Sequence, residues 1–203
     1  MSPLPSLSPL PVAPRPFPGE SMGGWLGRLA SRYRLPLKRF AEHYGLELPL
    51  ATTKVGWLLL PPLPERTVQR IARLVRISTD VLEPIQTPLA WVTDRPRLPV
   101  CGACLFVNPL DVTSPYWKRG WLAPDAAPCD IHAEEAHWIE AEHLRRCRNF
   151  SEVLKVVGYY DAYRRGERYG LPLWPSCDLQ SPTRGATSGP SHGSMIFGAK
   201  NRQ

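Results

Sequence analysis

The sequence predicts a mostly α-helical protein: a helix-turn-helix-like helical region, then a small zinc-ribbon or zinc-finger module, then C-terminal helices. Two observations predict it. Apolar residues recur at helical spacing in stretches bounded by prolines and glycines. Between the helical regions, Cys101-x-x-Cys104 is answered by Cys129-x-x-His132, with 24 residues between the pairs. The expected division is a Pro-rich disordered arm over 1–18, a helical region over 19–96, a zinc module over 97–145, a helix over 146–172 and a disordered tail over 173–203.

The elements follow in order. Seven of the 24 prolines fall in the first 18 residues, which reads as an extended arm. In ESMGGWLGRLASRYR, Met22, Trp25, Leu26, Leu29, Ala30 and Tyr33 form one helical face. Ser21 caps its start and Leu35-Pro36 ends it. Gly23, Gly24 and Gly27 weaken a helix by about 1 kcal/mol each, so their presence points either to a close backbone neighbour or to a frayed first turn. Pro36 opens a second helix with Leu37, Phe40, Ala41 and Tyr44 inward and Gly45 as its C-cap. A third helix runs from Glu65 to about Arg76, with Val68, Ile71, Ala72 and Val75 inward and Arg66, Arg70, Arg73 and Arg76 outward. Ser78 caps a short fourth element, TDVLEP. Helix, tight turn and short helix with an arginine-rich surface is the outline of a helix-turn-helix, and also of many small helical bundles. Arg70, Arg73 and Arg76 are its candidate nucleic-acid or partner contacts.

The two paired motifs let four side chains converge on one ion, and three thiolates with one imidazole complete a tetrahedron around Zn²⁺. Cys101, Cys104, Cys129 and His132 are therefore the candidate ligands of one structural zinc. Two sharper chemistries fit less well. A thioredoxin-like redox pair wants C-x-x-C opening a helix in a βαβ unit, whereas LPVCGAC runs into LFVNP. A zinc deaminase wants H-x-E before P-C-x-x-C, and here His132-Ala133-Glu134 follows the cysteine pair. A catalytic zinc also keeps one coordination position open, and four protein ligands leave none. Within the loop, Tyr116, Trp117 and Trp121 surround Lys118 and Arg119. Trp121 suits the module's own core, which leaves Lys118 and Arg119 as surface candidates for nucleic acid or a partner.

Beyond the cluster, HAEEAHWIEAEHLRRC reads as a helix, acidic first and basic last. FSEVLKVVGYYDAYRRGERYG gives another, with Phe150, Val153, Leu154, Val157, Tyr160 and Ala162 as its apolar face. No phosphate-cradling glycine loop, Ser-His-Asp set or acidic triad is present, which speaks against an NTPase, a nuclease or a DDE-type strand-transfer site. The net charge of +7 is uneven: residues 1–98 carry +6, 99–132 carry −1, 133–144 carry −4 and 145–203 carry +6. Such basic flanks suit phosphate or another acidic partner. The start lacks a secretion signal, and the longest apolar stretch, Trp57 to Pro62, is too short to span a bilayer. Five cysteines, an odd number, fit metal binding in the cytoplasm better than a disulfide scaffold.

Three stretches together resemble the TniQ family of transposon target-selection proteins, which includes the TnsD-like proteins. They are PFPGESMGGWLGRLASRYRL, VQRIARLVRISTDVLEPIQT, and LPVCGAC followed by YWKRGWLAPDAAPCDIH. The resemblance implies a non-catalytic, nucleoid-associated transposition factor in which a helix-turn-helix region is joined to a zinc finger. It implies zinc-ligand roles for Cys101, Cys104, Cys129 and His132. As partners it implies an AAA+ ATPase of the TnsC or TniB kind and either DNA or a targeting complex, which in CRISPR-associated transposons is an RNA-guided effector. A homo-oligomer is compatible with it. The runner-up is a zinc-containing helix-turn-helix transcription regulator.

Overall fold

In the computed structural model, which describes residues 8–106, 114–126, 129, 131–132 and 137–166, the first helix grows from a serine cap. Ser21 Oγ accepts from the Gly24 N–H at 3.0 Å, and α1 (Met22–Arg32) follows. Met22 through Ala30 are all buried, so the face opposite the apolar one is covered as well. The arm does the covering. Leu10 N–H donates to the Leu74 carbonyl (2.8 Å), Tyr33 OH to Val12 (2.5 Å), Trp25 Nε1 to Pro14 (2.9 Å) and Arg28 Nη2 to Arg15 (2.9 Å). Disorder was the expectation for this arm; over residues 8–18 the structure holds it across α1. Proline removes a backbone donor but keeps the carbonyl, so side-chain donors from α1 do most of the fastening of such a segment.

The glycines of α1 mark the close approaches that the sequence predicts. A Cβ on Gly23 would lie 2.7 Å from the Leu58 carbonyl oxygen, and one on Gly27 would overlap the Trp57 indole. Trp57 belongs to a 3₁₀ turn, Gly56–Leu58, and its Nε1 donates to the Cys147 carbonyl at 2.6 Å. Leu58, Leu59 and Leu60 beside it have no accessible surface. The WLLL run is thus the centre of the core.

Helix α2 (Leu37–His43) begins after Pro36 rather than at it. The Pro36 carbonyl accepts from the Phe40 N–H (2.9 Å), while the Leu37 N–H reaches across to the Arg148 carbonyl (2.9 Å). Gly45 ends the helix at φ +58°, the left-handed conformation that its C-cap role requires. Helix α3 (Glu65–Val75) buries Val68, Ile71, Ala72 and Val75, with Thr67 and Leu74 added. Arg76 then takes the left-handed position itself, at φ 56° and ψ 46°. Helix α4 (Thr79–Leu82) is capped by Ser78 and gives way after four residues to a 3₁₀ turn, Glu83–Ile85.

Strand β1 (Arg97–Val100) pairs antiparallel with β2 (His137–Glu140), Leu98 opposite Ile139 and Pro99 opposite Trp138. The single helix expected over His132–Cys147 is therefore, among its described residues, a strand and then a short helix, α6 (Ala141–Arg146). Alternation decides it: His137 and Ile139 point inward and Trp138 outward, and the pairing satisfies backbone groups on both segments. Between the strands lies α5 (Gly102–Phe106), and α7 (Phe150–Arg164), capped by Asn149, is the last element of the described residues. Phe150, Val153, Val157 and Ala162 are buried as expected, with Val156, while Leu154 and Tyr160 are half-buried. Helix α7 packs on α1, and α6 on the Gly56–Leu58 turn, so elements on either side of residue 96 share one core. Helices hold about half of the described residues, and none of them is long and apolar enough to cross a membrane. The expected disordered tail, with Cys177, lies outside the described residues.

Candidate metal centre

β1 delivers Cys101 at its end, and the first turn of α5 brings Cys104 back beside it; the Cys104 N–H points at Cys101 Sγ from 3.4 Å. Both cysteines are buried, whereas Cys129 and His132 arrive half-buried from the following loop. His132 Nδ1 lies 3.5 Å from Cys101 Sγ, 3.3 Å from Cys104 Sγ and 3.5 Å from Cys129 Sγ, and the Cys104 and Cys129 sulfurs are 3.4 Å apart. All four donor atoms lie within 4.8 Å of one another. Zn–S bonds of about 2.3 Å and Zn–N bonds of about 2.0 Å require tetrahedron edges of roughly 3.5–3.8 Å, so the donor set fits zinc in both size and chemistry. Four protein donors also fill the coordination sphere, which is the arrangement of a structural rather than a catalytic site.

The four donors differ electrostatically. Burial pushes the Cys101 thiol up to about 12 and raises Cys104 too, the latter against the pull of Lys118. At Cys129 burial also raises, but the backbone N–H and the ring of His132, with Cys104, outweigh it and bring the thiol down to about 6. Cys129 is the readiest thiolate of the set, and thiolates are what zinc binds.

The loop around YWKRGW turns inward. Trp117 has no accessible surface, Trp121 is 8% exposed, and their rings meet edge to face at 5.3 Å. Both are core, as expected of Trp121. Lys118 is half-buried with Nζ 3.0 Å from Cys104 Sγ. Arg119 is half-buried as well, bonded to the Gln86 carbonyl (3.3 Å) and lying over the Trp91 ring. The loop is joined to the start of α1: Ser21 N–H donates to the Trp117 carbonyl (2.9 Å) and Arg119 N–H to the Gly19 carbonyl (2.7 Å). The arginines of α3 lie apart from this. Arg73 and Arg76 are exposed, while Arg70 is half-buried and donates to the Tyr44 carbonyl at 3.2 Å.

Two residues of the centre carry no local signal in the sequence. One is Lys118 in its contact with Cys104. The other is Arg95, which grips the end of the loop by donating to the carbonyls of Ala123 (2.8 Å), Leu122 and Trp91 (2.9 Å). Glu134, the residue a deaminase would need, lies outside the described residues.

A family model described as TniQ matches residues 11–135, which takes in most of the strapped arm, α1 to α5 and all four donor residues. No curated protein and no solved structure matches the chain.

Proposed function

The chain belongs to the TniQ family, and from that premise we propose that it is a transposition adaptor, without catalytic chemistry of its own. In this reading it works in the cytoplasm beside the nucleoid. It joins target DNA, or a complex that has already recognised the target, to an AAA+ ATPase of the TnsC or TniB kind. The family match over most of the chain carries the proposal. The centre supports it, since zinc held by four protein ligands serves as a clamp, lending the loop its shape and supplying no chemistry.

The proposed nucleic-acid or partner surface is the exposed edge of α3 and its turn, Arg73 and Arg76, with Arg70 behind them. Arg76 occupies a left-handed position where glycine is the ordinary choice, and Arg34 does the same after α1. An L-residue there costs roughly 1–2 kcal/mol, and strain kept at a surface position points to a use for the side chain. Lys118 and Arg119 contribute mainly by holding the loop.

The test is co-assembly. The purified chain is mixed with the ATPase of a neighbouring transposition operon, target DNA and ATP or ADP, then sedimented. ATP-dependent co-sedimentation supports the adaptor. DNA binding with no ATPase association favours the transcription-regulator alternative.

A further inference from the structure

We propose that Lys118 is the outer-shell cation of the metal centre: its ammonium holds the Cys104 sulfur and offsets the surplus charge of the donor set. The proposal rests on the zinc reading above. Three thiolates and a neutral imidazole around a divalent ion leave one negative charge in excess. Burying such a charge is unfavourable unless a counter-charge lies close. Lys118 supplies one, with Nζ 3.0 Å from Cys104 Sγ.

The lysine is built into its place. Its neighbours on both sides pair with residues 19–21 through the Ser21–Trp117 and Arg119–Gly19 hydrogen bonds, and Glu20 and Lys118 form the bridge between them. Trp117 is locked in the core and Arg119 is tied to Gln86, so the backbone at 118 cannot swing away. This differs from a surface lysine that finds a thiol by chance. It also gives two of the sulfurs separate polar partners: a backbone N–H for Cys101 and an ammonium for Cys104.

An ammonium bonded to a zinc-bound thiolate draws off electron density, so Cys104 should be a poorer nucleophile. The positive charge beside a centre with one negative charge in excess should at the same time favour the loaded state. Outer-shell partners of metal ligands typically change affinity by about 10–100-fold when removed. Lys118 is thus a positioning residue for the centre, acting through Cys104.

The experiment uses the full chain loaded with one equivalent of zinc, as wild type, Lys118→Met, Lys118→Gln and Lys118→Arg. Zinc transfer to a chromophoric chelator gives affinity, iodoacetamide labelling mapped by mass spectrometry gives the reaction rate at Cys104, and far-UV circular dichroism reports folding. Lys118→Met and Lys118→Gln are expected to lose about 10–100-fold in zinc affinity and to label faster at Cys104, with Lys118→Arg restoring most of both. Neutral variants that fold and match wild type in both readouts overturn the proposal. Should neither neutral variant fold, acetic anhydride labelling of wild type decides. Lys118 is expected to react more slowly than the exposed Lys38 until zinc is removed, and equal rates before removal overturn the proposal. Wild type that takes up no zinc defeats the zinc reading itself, a separate outcome.

Discussion

Glu20 and Arg28 close a two-pronged ion pair beneath the strapped arm: Nη2 lies 2.7 Å from Oε2 and Nε 3.0 Å from Oε1. Glu20 has no accessible surface, and the Phe17 N–H supplies a third donor at 2.9 Å. Burial pushes the carboxyl above its usual range, and Arg28 and Phe17 pull it back. Arg28→Met leaves a buried carboxylate without its partner and should destabilise by about 3–5 kcal/mol in denaturant unfolding. The double change Glu20→Leu with Arg28→Met should cost less than Arg28→Met alone. A single variant that unfolds with wild type contradicts this.

Gly24 faces the metal loop. A Cβ there would sit 2.7 Å from Trp117 Cβ and 3.4 Å from the Trp117 carbonyl oxygen. Gly24→Ala should therefore destabilise by about 1–3 kcal/mol, despite alanine's better helix propensity. Thermal unfolding checks it, and a stabilised variant would mean that the packing gives way freely.

Cys129→Ser should release zinc and lower the melting temperature, because metal binding and folding are one equilibrium. Elemental analysis should find one zinc per wild-type chain. Excess chelator should lower wild-type stability while leaving Cys129→Ser unchanged; equal melting of wild type with and without chelator speaks against the clamp.

His143 gives the pH prediction. Burial lowers its pKa, and its Nδ1 lies 2.7 Å from the Tyr160 hydroxyl. The unfolded chain then binds a proton that the folded one resists. This contribution is complete above the unfolded value of about 6.5 and is lost as pH falls below it. Denaturation at pH 7.5 and pH 5.5 should show wild type losing more stability than His143→Gln. Parallel losses would place the pH sensitivity elsewhere.

Arg73→Glu with Arg76→Glu should weaken binding to DNA, with each lost phosphate contact flattening the salt dependence by about 0.9 in log–log slope. Fluorescence anisotropy at several salt concentrations measures both. Intact affinity and slope would move the interface off α3.

What the sequence made legible is what depends on short range. The face of α1, its three glycines and the inward face of α3 are periodic signals. The four donors come as two spaced pairs, each pair a local turn. Other features depend on partners far along the chain. Arg97–Val100 is too short, and too interrupted by Pro99, to declare itself a strand without His137–Glu140 opposite. The arm looks unstructured until the donors of Trp25, Arg28 and Tyr33 are set against its carbonyls. Arg70, Lys118 and Arg119 look like surface cations in the sequence; their half-buried positions come from tertiary contacts with Tyr44, Cys104, Gln86 and Trp91.

The backbone pairing of residues 19–21 with 117–119 sets a timetable for the growing chain. Helix α1 leaves the ribosome long before Trp117 exists to receive the Ser21 N–H. At about 5–20 residues per second that wait lasts on the order of 5–20 s. Met22, Trp25, Leu26 and Leu29 stay only partly covered meanwhile, since Cys147 and α7, which complete their surroundings, come later still. A clone ended before residue 147 would prolong that exposure indefinitely. Its insolubility would then reflect an unfinished core rather than any failure to bind zinc.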